Sequence, residues 1–187
     1  LGMFASWGPH RLTLGALVGA LGAAGLVYLI SMAQGGMTPL RLVLSGVVLS
    51  AAFSALASFL VFRSSDPRAA QSVLYWMLGS VAGATWDSLW VAAIVTALSA
   101  VLMIAFSGWL DALSAGTDVA RSLGIPDTRV RKALFVGNSV LVGVLVAVSG
   151  GIGFVGLVIP HMSRLLVGAS HRSMLPVAAA IGSLFLL

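Results

Sequence analysis

Gly150-Gly151-Ile152-Gly153-Phe154-Val155-Gly156-Leu157-Val158-Ile159-Pro160-His161 is a run of small and branched apolar residues that closes on Pro-His, with Arg164, His171 and Arg172 just beyond. The pattern predicts a membrane helix ending at a wet, basic boundary. Its surroundings agree: hydrophobic residues make up 59% of the 187-residue chain, charged residues only 8%, and the mean hydropathy is +1.09. A soluble domain carries about a quarter charged residues. Glu is absent and Lys132 is the sole lysine, so ten basic and five acidic side chains cannot clothe a solvated surface of ordinary size. The composition therefore predicts an integral membrane protein.

The charge-free intervals give the organisation. Arg41 and Arg63 bracket 21 uncharged residues, Asp87 and Asp111 bracket 23, Arg11 and Arg41 bracket 29, and Lys132 and Arg164 bracket 31 with His161 counted as neutral. About 20 residues span a 30 Å hydrocarbon core. Each backbone N–H there needs an internal partner, which favours helices. Residues 42–49, Leu-Val-Leu-Ser-Gly-Val-Val-Leu, lack the alternation of a barrel strand. The expectation is an all-α, polytopic bundle with helices over 12–33, 39–62, 86–107 and 132–150, a shorter one over 153–167, and a last one beginning near 174. Residues 69–84 are apolar but interrupted by Gly79 and Gly83, and with Asp66-Pro67 and Trp76, Trp86 and Trp90 they suggest an interfacial piece. Leu1 is not an initiator residue and the chain stops inside an apolar run, so the sequence reads as an internal fragment of a longer membrane protein.

The basic residues orient the spans. With the Gly35-Gly36 loop inside, Arg41, Arg121, Arg129, Arg131, Lys132, Arg164 and Arg172 fall on the cytoplasmic side and Arg11, Arg63 and Arg68 outside, seven against three. The net charge of +5 comes from scattered arginines without aromatic interleaving, which argues for anionic lipid and against nucleic acid. With no cysteine, disulfides and thiolate metal sites are excluded. No G-x-x-x-x-G-K-[ST] occurs, so the chain has no phosphate-cradling loop for ATP.

One long polar stretch remains, residues 108–131. Thr117 is positioned to cap a short helix through 118–123, Gly124 to end it, Pro126 to bar its continuation, and Asp127 or Thr128 to cap the next helix. A helix–turn–helix that leaves Val119, Leu123 and Ile125 in water suits docking of a soluble partner better than a plain connector. On the helix at 39–62, Ser45, Gly46, Ser50, Ser54 and Ser58 form a small, faintly polar stripe, explained equally by close helix packing or by a path lining.

Five stretches resemble the FecCD-type permeases, membrane subunits of ATP-binding-cassette (ABC) importers for iron–siderophore complexes, haem and cobalamin. They are Pro39-Leu-Arg-Leu-Val-Leu-Ser-Gly-Val-Val-Leu-Ser50, Tyr75-Trp-Met-Leu-Gly-Ser-Val-Ala-Gly-Ala-Thr-Trp86, Ala120-Arg-Ser-Leu-Gly-Ile-Pro126, Gly153-Phe-Val-Gly-Leu-Val-Ile-Pro-His-Met-Ser-Arg164 and Ser170-His-Arg-Ser-Met-Leu-Pro176, in family order and spacing. The resemblance covers essentially the whole chain. It implies a type II importer permease fold of about ten spans, of which this single, partial transmembrane domain (1–187) holds about spans four to nine, with a cytoplasmic coupling segment near 111–132. It implies that Ala120, Arg121, Ser122, Leu123, Gly124, Ile125 and Pro126 contact the ATPase. It places Met37, Thr38 and Pro39 at the cytoplasmic gate and Ser45, Gly46, Ser50 and Ser54 along the path. Gly153, Phe154, Gly156, Pro160, His161 and Arg164 form a structural motif.

The implied partners are a dimer of ABC ATPase subunits, a second permease copy or paralogue, a periplasmic or lipid-anchored substrate-binding protein, and membrane lipid. The implied location is the bacterial cytoplasmic (inner) membrane, and the implied cargo a ferric siderophore, with haem and cobalamin open. No cofactor, catalytic residue or metal site is expected. His161 is a lone histidine, and Met162 at i+1 points to another helix face, so Pro160-His161 is read as ending its helix and ordering the turn. Five scattered Asp and three separated His offer no acid–base pair for an enzyme. A secondary transporter or channel, or a non-transporting scaffold, are the competing classes; no charge deep in a span supports proton coupling.

Overall fold

A computed structural model describes residues 9–33, 35, 38–82 and 84–186. These residues form helices α1 (Pro9–Ala33), α2 (Pro39–Arg63), α3 (Pro67–Leu78), α4 (Trp86–Ala105), α5 (Ser107–Ala115), α6 (Thr117–Ser122), α7 (Asp127–Ser149), α8 (Val155–Val167) and α9 (His171–Leu186), with no strand among them. The all-helical expectation holds. Two compact units are distinguished: the described residues through Ser80 with Val142–Gly151, and Val81–Leu141 with the residues from Ile152 onward.

In the first unit, α1 packs on α2. Thr38 is the N-cap of α2, its hydroxyl accepting the Arg41 amide at 3.4 Å, with Pro39 preset for the first turn. Asp66 caps α3 by accepting the Arg68 amide at 3.0 Å, with Pro67 next, and Gly79 ends the helix at φ 70°. The interruption expected at Gly79 is the end of α3, which starts two residues before 69 because Asp66 and Pro67 open it; Gly83 lies outside the described residues. The chain leaving α7 meets the end of α3 backbone to backbone. The Ser80 N–H donates to the Ser149 carbonyl at 2.7 Å, and a Cβ on Gly150 would stand 2.3 Å from the Trp76 carbonyl oxygen. Gly143 of α7 lies so close to α1 that a Cβ there would come within 3.0 Å of Ala20 Cβ and 3.1 Å of Leu17 Cδ1.

In the second unit α8 packs on α9, and α5 packs on α4, α6 and α9. The span expected over 86–107 breaks at Phe106 (φ −98°, ψ 18°), and α5 turns off by 64°. Helix α7 begins at Asp127, not 132, because the Pro126 carbonyl accepts the amides of Arg129 and Val130 at 3.0 Å and opens the helix ahead of the charges. The expectation that Pro160-His161 ends a helix is corrected. Both lie inside α8, which runs on to Val167 and stops at Gly168 (φ 84°). Pro160 removes the bond that its N–H would give the Gly156 carbonyl, a gap that transmembrane helices tolerate when neighbours or local adjustments re-satisfy the backbone.

By length and apolarity, α2 (Leu40–Arg63) and α7 (Asp127–Ser149) can each cross a membrane, and the bent α4–α5 pair makes up to a third. Leu17–Ala33, the later part of the 25-residue α1, and Val155–Val167 are shorter apolar stretches. Among the described residues this gives two clear spans, or up to three with the bent pair counted as one.

Candidate functional site

The corner from α5 to α7 brings the predicted coupling residues together. Helix α6 has only six residues, too few to be stable by propensity, so its ends and its packing must hold it. Its C-terminus carries a Schellman motif. Gly124 sits at φ +74°, its N–H donates to the Arg121 carbonyl at 2.9 Å, and the Ile125 N–H reaches back to the Ala120 carbonyl at 3.0 Å. Ala120 and Ile125 then close on each other and on Ala112 of α5 as a small buried cluster flanked by Leu113 and Val130. Burial of Ile125 corrects the expectation that it faces water. An apolar contact between the residue after the glycine and the last helical turn frequently accompanies a Schellman motif, and Ile125 supplies it here.

Thr117 does not cap α6 either: it is the first helical residue after Gly116, and its hydroxyl accepts from the Arg131 guanidinium at 3.4 Å. Asp127 is likewise the first residue of α7. It receives the Arg121 guanidinium as a two-pronged pair, Nε to Oδ1 at 3.1 Å and Nη2 to Oδ2 at 3.4 Å. With Arg121 largely in solvent, this pair fixes the geometry of the corner more than its stability. Left outward are Val119 and Leu123, the latter 66% exposed, along with Ser122 and Pro126. The corner is a pinned platform that presents two aliphatic side chains.

A contact that local sequence gave no sign of joins α5 to α9. The Asp111 carboxylate accepts the His171 amide at 2.9 Å and the Ser170 hydroxyl at 3.4 Å, and its Oδ1 also meets His171 Nδ1. Asp111 thus supplies the first turn of α9 with an anionic cap from a helix 60 residues earlier.

The remaining predicted residues are distributed as follows. On α2, Ser45 is buried at 5% exposure and its hydroxyl has no partner among the described residues, while Gly46 is half-buried and Ser50 and Ser54 are exposed. Met37 lies outside the described residues, and Thr38 and Pro39 begin α2. Phe154 holds a left-handed conformation (φ 65°) as the N-cap of α8, its carbonyl accepting from Leu157 and Val158, with its ring 83% exposed. Gly153, Gly156 and His161 are exposed, Pro160 is half-buried, and Arg164 Nε donates to the Met174 sulfur at 3.3 Å. Ser163, fully buried and bonded to the Ile159 carbonyl, was not singled out by sequence. An open apolar groove at the α4–α5 bend, lined by Leu102, Met103, Phe106, Trp109, Val130 and Leu134, has little polar character to fix a ligand.

The sequence matches the FecCD transport family over residues 1–187. The chain belongs to this family. Among relatives, it is 37% identical over 91% of its length to the cobalamin import system permease protein BtuC of Halobacterium salinarum. It is 34% identical over its full length to the molybdate import system permease protein MolB of Haemophilus influenzae. It is 35% identical over 97% of its length to the iron(3+)-hydroxamate import system permease protein FhuG of Bacillus subtilis. It spans about half of each, namely 46%, 56% and 54%. A solved structure titled as an inward-facing conformation of a putative metal-chelate type ABC transporter superposes with a TM-score of 0.86 at 33% identity, over 98% of this chain and 58% of that one.

Proposed function

We propose that the chain belongs to the permease subunit of an ABC importer, and that the α5–α7 corner receives the ATPase. The pinned corner carries this reading: a six-residue helix closed by a Schellman motif and tied to α7 through Thr117–Arg131 and Arg121–Asp127 presents Val119 and Leu123 to solvent, an arrangement suited to a partner's groove. In this reading a pair of ATPase subunits closes on ATP, pushes on α6, and a paired permease alternates access. A soluble binding protein delivers cargo on the opposite side of the cytoplasmic membrane. The small residues of α2 line the path with a wall that offers weak interactions, and Thr38 and Pro39 stand near its inner end. The cargo is a bulky chelate. The FhuG relationship makes ferric hydroxamate the first to try, with cobalamin and molybdate as the comparators.

The test uses the full-length permease co-expressed with its ATPase subunit. Leu123→Asp places a charge on an exposed position and leaves the buried cluster intact. The expected result is loss of co-purification by about tenfold or more, as for a buried apolar anchor at an interface, with an unchanged elution profile of the permease alone. Undiminished capture of the ATPase by Leu123→Asp sinks the assignment of this corner.

A further inference from the structure

Helix α5 touches two things through adjacent residues. Ala112 packs under Ala120 and Ile125 of the corner, while Asp111 holds the first turn of α9 through the His171 amide, the His171 ring and the Ser170 hydroxyl. Successive helical residues point about 100° apart, so one short helix grips both neighbours at once. Helix α9 in turn packs along α8, where Met174 is buried and receives the Arg164 guanidinium on its sulfur. We propose that Asp111 is a positioning residue for energy coupling: it is the latch that makes α9, and α8 with it, follow any displacement of the α6 corner.

The physical case rests on what else joins these parts. The α5–α6 contact is apolar and built from small residues, so it transmits a push but lends α9 no orientation. At the α9 end, three contacts converge on a single carboxylate. Two of them, to the His171 amide and the Ser170 hydroxyl, fix both the position and the direction of the first turn. Charge-assisted bonds of this kind are shorter and about twice as strong as neutral ones. A carboxylate at a helix N-terminus also gains from the peptide dipoles. Without the latch α5 still moves with the corner, while α9, held by its packing on α5 and α4 but no longer fixed at its first turn, follows less completely. This role rests on the reading of the corner as the ATPase platform, so the test separates the two.

The experiment reconstitutes the full-length permease with its ATPase and binding protein in proteoliposomes. Two readouts are taken: capture of the ATPase by the permease, and cargo molecules moved per ATP hydrolysed. Failure of the wild-type permease to capture any ATPase removes the platform reading, and the latch with it. Given capture, Asp111→Ala is expected to keep the ATPase bound and to lower cargo per ATP about fivefold or more, the lower end of typical coupling between sites. Asp111→Asn, whose amide oxygen still accepts the His171 N–H, is expected to recover most of the ratio. Asp111→Ala at the wild-type ratio overturns the proposal. So does loss of ATPase capture in Asp111→Ala, because the carboxylate would then be supporting the corner itself. Should Asp111→Ala fail to reach the membrane, His171→Gln strips the ring contact alone: a reproducible drop in the ratio supports the latch, and an unchanged ratio refutes it.

Discussion

At the scale of single residues, Gly124 and Gly150 share nearly the same backbone conformation, φ +74° and +71°, yet differ in what surrounds them. A Cβ on Gly124 meets nothing within 4 Å, so Gly124→Ala bears only the left-handed penalty of about 1–2 kcal/mol. A Cβ on Gly150 would stand 2.3 Å from the Trp76 carbonyl and 3.1 Å from Gly79 Cα, both backbone atoms with no flexible end to swing away. Gly150→Ala therefore adds a backbone displacement to the same penalty, with a cost in the exceptional range above about 4 kcal/mol. Thermal unfolding in detergent checks the pair: a modest fall in midpoint for Gly124→Ala, and little or no folded protein for Gly150→Ala. Equal losses would show that the Trp76–Gly150 approach has no energetic weight. Sequence reading singled out Gly124 as the end of a short helix and gave no sign of the close backbone approach at Gly150. The neighbour that matters at Gly150 is 74 residues away in the chain.

At the scale of elements, the contrast lies between two small residues on different helices. Gly143 of α7 is buried against Leu17 and Ala20 of α1, and close approach through a small residue is a common basis of helix association in membranes. Gly46 of α2, by contrast, has open space around its missing Cβ. Gly143→Val should lower stability by about 1–3 kcal/mol through overpacking. Gly46→Val in the full-length protein should leave the midpoint nearly unchanged while reducing transport, if α2 borders a path. Thermal midpoint and uptake rate measured on both variants decide it. A midpoint fall at Gly46 as large as at Gly143 would assign the α2 stripe to packing. Helix ends were legible because caps act over three or four residues: Thr38, Asp66, Gly79 and Gly124 each mark a boundary. The ends near 106 and 150 were legible to within two residues, whereas the helical continuation through α5 (Ser107–Ala115) and its 64° turn were not, because nothing local distinguishes a polar helix there from a loop.

At the scale of the whole molecule, charge predicts which way the chain lies in the membrane. Arg121, Arg129, Arg131 and Lys132 cluster around the corner, whereas Arg63 and Arg68 flank the N-terminus of α3. Reporter fusions after Gly116 and after Ser65 test the assignment. A cytoplasmic signal from the first and an external signal from the second are expected, since lysine and arginine in short loops hold the cytoplasmic side. The reverse pattern would invert the topology and detach the corner from any cytoplasmic ATPase. Hydropathy by itself pointed to the membrane class and the helical architecture, and the polar stretch at 108–131 to the place of the corner, since each depends on composition or on residues within one or two turns. Motif resemblance established the family. Only the tertiary structure decided that Ile125 is buried with Ala112, that Asp111 caps α9, and that Gly150 lies on the Trp76 backbone. The reason is range: capping, periodicity and hydrophobic burial are written in near neighbours, whereas a cap from a helix 60 residues distant exists only once the packing of α5 on α9 has put it there.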